Sequence, residues 1–218
     1  MIVPTILTAD LDEVKRKLNL LRGQVGRVQV DIIDGEFTDN KTINLADLFG
    51  LAEKNGFSLD IHLMVKDPAS LLDRDWPGLV DRITGQIETM PSQVEFVRTA
   101  KESGFLAGLA VDLKTEVTKL NAQALDITDQ VLLLGVKAGF SGQKIDPTVL
   151  AKIKELAVWK QKENWSFKIG IDGGIDETSL AFCYKIGAEE FFIGSAIWES
   201  GDPIGMIRKL EKIISGNE

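Results

Sequence analysis

The sequence predicts a single α/β domain over residues 1–218, folded as a (β/α)8 TIM barrel of the phosphate-binding type. Three observations carry the barrel. Eight short segments rich in β-formers recur along the chain, segments with helical spacing separate them, and several of the β segments are apolar on both faces. A strand such as VLLLGV, apolar above and below, belongs between an inner core and a layer of outer helices, which requires a parallel sheet. The alternative is an open doubly wound sheet. That fold usually binds a dinucleotide through a GxGxxG turn after its first strand, and VPTILTAD contains no glycine.

In chain order the β segments are VPTILT, RVQVDII, SLDIHLMV, DRITGQIE, LAGLAVD, QVLLLGV, FKIGID and EFFIGSAI. After the first, Leu11, Val14, Leu18 and Leu21 share one helical face; after the sixth, Val149, Leu150, Ile153, Leu156 and Ala157 do so. Helix starts are marked by Asp10 with Glu13 three residues on, and by Asp146-Pro147 and Asp202-Pro203, each a capping side chain before a residue that has no amide to satisfy. Strict β/α alternation is the resulting expectation.

Composition narrows the partners. With 44% hydrophobic and 27% charged residues the chain can bury a large core, and nothing in it suggests disorder. A net charge of -8 disfavours nucleic acid and anionic membrane surfaces and leaves a small molecule as the expected ligand. The single cysteine, Cys183 in LAFCYKIG, cannot form an internal bridge and reads as a small buried hydrophobe, which fits a reducing compartment. MIVPTILTAD lacks a basic leader and a long apolar run, and no stretch approaches a membrane span, so a cytoplasmic location is expected. Trp76, Trp159, Trp165 and Trp198 are scattered and read as packing residues.

Chemistry concentrates at strand ends. Asp31 in VQVDIIDG and Asp172 in IGIDGGI each close a β segment, with the only histidine, His62 in LDIHLMV, on a third strand between them. Two carboxylates facing one ligand suit proton transfer beside a carbonyl, because one can remove a proton from one face while the other returns it to the opposite face. Asp34, just before Gly35, reads as a loop cap, and Glu88 and Asp112 as strand-end polar groups without chemistry. The segments Gly139, Phe140, Ser141 and Gly142, then Gly173 and Gly174, then Gly194 and Ser195 follow the last three strands. Small residues there let backbone amides approach an anion closely, so the three segments form an expected phosphate cup.

These motifs, in this order and spacing, resemble the ribulose-phosphate 3-epimerase family. The likeness runs from Pro4 to about Trp198 and rests on VPTILTAD, VDIIDG, DIHLMV, VKAGFSGQK, IDGGI and GSAI. The resemblance implies a small phosphorylated ketose as substrate, epimerised at C3, and Asp31 and Asp172 as alternating acid and base. It also implies one divalent metal (Zn²⁺, Mn²⁺, Fe²⁺ or Mg²⁺) held by Asp31, His62 and Asp172, and a homo-oligomeric assembly. Thr5 matches a substrate-contacting serine. Met64, with Ile33 and Leu134 in place of methionines, matches an apolar cap over the reacting carbon.

Three departures surround the chemistry. Gln29 stands where the family has its fourth ligand, a histidine; its amide oxygen is a hard donor, which would favour Mn²⁺ or Mg²⁺. Gln86 replaces a second histidine. Lys137, where the family has asparagine, is placed beside Asp172 as a substrate-binding cation able to supply the positive charge that a metal otherwise gives. Two other readings remain open: a phosphosugar-binding relative that has lost catalysis, and a lyase or decarboxylase of the same barrel group. The latter typically carries a DxKxxD array, absent from VDIIDG.

Overall fold

The computed structural model describes residues 1–50 and 56–216. Eight parallel strands, β1 (Ile2–Ile6), β2 (Arg27–Ile33), β3 (Ser58–Met64), β4 (Val80–Gln86), β5 (Leu106–Val111), β6 (Gln130–Leu134), β7 (Lys168–Asp172) and β8 (Glu190–Ile193), form a closed barrel. Each strand pairs with the next, and β8 returns to β1 with Ile2 opposite Phe191 and Pro4 opposite Ile193. The last expected β segment is shorter than its apolar run, because the backbone leaves the extended region at Gly194 and Ser195 starts a helix.

Helices α1 (Leu11–Leu21), α2 (Gln93–Glu102), α3 (Ala122–Ile127), α4 (Thr148–Glu163), α5 (Glu177–Lys185), α6 (Ser195–Trp198) and α7 (Pro203–Ser215) occupy the outside. Val14, Leu18 and Leu21 of α1 are buried as their spacing requires. Asp10 caps α1 by accepting from Asp12 N and Glu13 N, and Asp202 caps α7 by accepting from Gly205 N. The α4 start falls one residue later than expected: Pro147 takes the cap position, and Asp146 instead accepts from the amide of Thr148 at 2.9 Å.

Strict alternation does not hold throughout. Among the described residues, the β2–β3 connection shows a 3-10 segment, Leu45–Gly50, and the β3–β4 connection a single 3-10 turn, Ala69–Leu71. Pro68 precedes that turn, and Pro77 with Gly78 closes the segment before β4, leaving no uninterrupted stretch for an α-helix.

Two apolar layers follow from the two-residue period of the strands. Along β6, Val131 and Leu133 join the large cluster between barrel and helices, whereas Leu132 points inward to meet Val3, Ala110 and Phe192. Each fully buried side chain of this size contributes about 1.5–3 kcal/mol. Below that inner layer the barrel floor is polar. Arg82 donates to Asp60 and, at 2.9 Å, to Glu190, which also accepts from Gln130 Nε2 at 2.6 Å. Arg27 reaches Asp60 from the side and Asp81 at 2.6 Å. These groups lie in the early residues of their strands, so the ionic floor occupies the end opposite the one where Asp172 terminates β7.

Candidate active site

Register brings the chemical residues together. Asp31 of β2 lies directly across from His62 of β3, and Thr5 of β1 across from Gln29. Gln29 and Asp31, two apart on one strand, share its inward face, and Asp172 ends β7. His62 Nδ1 lies 3.1 Å from Asp31 Oδ1 and 3.6 Å from Asp172 Oδ2. Gln29 Nε2 donates to both carboxylates, at 3.0 Å to Asp31 Oδ1 and 2.7 Å to Asp172 Oδ2. The two acids therefore sit around one point, bridged by an amide and an imidazole.

The electrostatics follow from burial in that arrangement. Removal from water pushes the Asp31 carboxyl up, the nearby Asp172 charge adds to the rise, and hydrogen bonds from His62 and Gln29 oppose it, leaving it at about 6. For His62, burial alone would lower the value. Hydrogen bonds to Asp172 and Asp31, with the charges of both acids, outweigh burial and raise it to about 9 in the metal-free protein. With the Gln86 amide oxygen turned toward the ring, it accepts from His62 Nε2 at 3.1 Å while its nitrogen donates to Glu88 at 2.9 Å. That contact puts a proton on Nε2 and aims Nδ1 at the carboxylates.

Above these groups opens a cavity of about 400 Å³. Thr5, Asp31, His62, Met64 and Asp172 line its base, and all eight residues expected in the phosphate cup line its wall. Gly173 and Gly174 hold φ of +94° and +73°, and a Cβ on Gly174 would collide with the backbone nitrogen of Ile145. Glycine is thus required for the loops after β6 and β7 to close on one another. Ile33, Met64, Leu134 and Ala138, with Leu7 and Phe37 packed against them, make an apolar cluster of which Leu7, Met64, Leu134 and Ala138 line the cavity. Asp34 is a loop cap, accepting from the amides of Glu36, Phe37 and Lys66 at 2.7, 3.0 and 2.8 Å.

Asp31, His62 and Asp172 each offer a ligand atom, all within 4.8 Å of one another, so a divalent ion fits with three protein donors and open positions for ligand oxygens. Two residues are placed otherwise than the resemblance implies. Gln29 presents its nitrogen to both carboxylates and acts there as a hydrogen-bond clamp. Lys137 is exposed, with its ammonium 5.6 Å over the Phe140 ring, and does not line the cavity. The turn after β6 sends it outward and Val136 inward.

Other lining residues escaped the sequence reading, among them Glu13 and Lys17 of α1, and Trp198 and Glu199 at the end of α6. Charges on a helix ordinarily read as a solvated face, and Trp198 as packing. Only the meeting of α1 with α6 across β1 reveals them.

The family model described as the ribulose-phosphate 3 epimerase family matches residues 1–198. The chain is 30% identical over 198 residues to the ribulose-phosphate 3-epimerase of Treponema pallidum (strain Nichols), covering 90% of each chain. It is 28% identical over 215 residues to the enzyme of that name from Aquifex aeolicus (strain VF5), covering 98% of this chain and 96% of the relative. Among solved structures, a 3-hexulose-6-phosphate synthase superposes with a TM-score of 0.69 at 14% identity, covering 98% of this chain and 99% of the other, which is a likeness of fold. A match that begins at the first strand and passes through every segment gathered around the cavity leaves one conclusion: the chain belongs to the ribulose-phosphate 3-epimerase family.

Proposed function

We propose that the chain epimerises a small phosphorylated ketose at C3, ribulose 5-phosphate with xylulose 5-phosphate or a hexulose 6-phosphate, by proton transfer between two carboxylates. The observation that carries this reading is the convergence of Asp31 and Asp172 on one point at the base of a cavity whose far wall is the glycine cup. The cup holds the phosphate through backbone amides and the hydroxyl of Ser141 or Ser195, which fixes the sugar chain across the acids. One carboxylate removes the C3 proton, leaving an enediolate, and the other delivers a proton to the opposite face. In reverse the roles exchange. Asp31, held near 6 by burial, is suited to both taking and giving a proton around neutral pH. Met64 and Leu134, with Ile33 packed against them, keep water from the carbanionic carbon. A divalent ion held by Asp31, His62 and Asp172 would supply positive charge for the developing oxyanion.

The test is solvent exchange. In deuterated water with ribulose 5-phosphate, with and without added Mn²⁺, the protein is expected to incorporate deuterium at C3. Asp31→Asn and Asp172→Asn should each lower that exchange by several orders of magnitude. A second reading, phosphosugar binding without turnover, draws on the Gln29 nitrogen aimed at both acids. Tight binding with no exchange at any metal concentration would select it and refute the first.

A further inference from the structure

Beyond the cup, the cavity is also lined by charged side chains. Its walls carry four carboxylates, from Glu13, Asp31, Asp172 and Glu199, yet among the described residues that line it Lys17 is the only lysine or arginine. A phosphate dianion held by neutral amides beside four acids needs a cation to offset their repulsion.

Lys17 is held for such a task. Its ammonium lies 2.7 Å from Glu13 Oε1 and 4.8 Å from the centre of the Trp198 ring. Thr8 donates to the other oxygen of Glu13 at 2.6 Å, fixing the carboxylate that holds the lysine. Trp198 is fixed in turn, its Nε1 donating to Thr5 O at 2.6 Å. Ser195 of the cup and Trp198 are the two ends of α6, about 4.5 Å apart along its axis. An ordinary Glu-Lys pair one turn apart on a helix lies in water; here the lysine side chain is only 18% exposed and faces the cavity.

We propose that Lys17 binds the phosphate of the ligand, sharing its ammonium between Glu13 and a phosphate oxygen, and so selects phosphate monoesters over neutral sugars at this site. The inference rests on the reading above in requiring a phosphorylated ligand in the cup. Its test needs no turnover: inorganic phosphate is titrated calorimetrically into the full-length wild type, Lys17→Met and Lys17→Arg, at low and high ionic strength. Lys17→Met keeps the stem on Trp198 and loses the charge, so phosphate should bind about tenfold or more weakly, with a flatter salt dependence. Lys17→Arg should retain most of the affinity, because it retains the charge. Should Lys17→Met misfold by thermal melt, Lys17→Gln serves the same purpose. Phosphate affinity unchanged on removing the charge would overturn the proposal. Deuterium exchange in a protein whose phosphate affinity ignores Lys17 sinks this inference alone; Lys17-dependent phosphate binding without exchange sinks the epimerase reading alone.

Discussion

Gln29 shows how much one amide can decide. It ties Asp31 on its own strand to Asp172, which lies 143 positions from Gln29 in sequence, and its bonds to charged acceptors are of the stronger kind. Gln29→Leu should therefore lower the stability of the metal-free protein by about 1.5–3 kcal/mol, measured as a shift in urea midpoint with unchanged slope. No shift would mean that the clamp contributes nothing. Cys183 makes a contrasting case: buried on α5, its thiol is pushed up to about 11 by desolvation. A thiol raised above its ordinary value of 9.0 favours folding below that pH, and the benefit fades as pH rises through about 11. At pH 8 the native protein should resist thiol reagents and react fully only after denaturation. Asp31, His62 and Asp172 could be read from sequence because each sits at a strand end, where the two-residue period sets the inward face. The nitrogen-or-oxygen choice of Gln29 could not, since Asp172, from a distant strand, imposes it. Nor could the direction of Lys137, which the turn after β6 decides.

The strands and the turns after them tell a similar story. Every expected β segment forms a strand, because burial on both faces leaves a strong apolar signature. The connection after β3 departs from the helical expectation where Pro68 and Pro77 interrupt the pattern. The glycine loops are the most demanding parts. Gly174→Ala would place a methyl group against the Ile145 backbone at a positive φ, so the loops after β6 and β7 must separate. The expected outcome is a stability loss of about 1–3 kcal/mol together with weaker phosphate binding, read by thermal melts and phosphate titration. Alanine tolerated without either change would show that the loops need no such closeness. The α1 contribution to the cavity lay hidden for a reason of the same scale: which helix face meets a neighbouring loop depends on packing, and no periodicity records it.

At the scale of the whole barrel, the ionic floor is the feature least like a simple hydrophobic core. Arg82, 3% exposed, is shared between Asp60 and Glu190, and its Nε has no hydrogen-bond partner. Arg82→Met should destabilise by about 3–5 kcal/mol, because two carboxylates lose their principal counter-charge inside the protein. Replacing Asp60 and Glu190 with apolar residues as well should restore much of that loss, and urea unfolding of the single and triple variants would decide it. A mild effect of Arg82→Met would mean that water already reaches the floor. Among the described residues no helix is long and apolar enough to cross a membrane. The plug of arginine and acids, together with the apolar layer above it, also governs traffic. With that passage stoppered, arrival and departure share one doorway, so each spent molecule must clear the rim before its successor can enter.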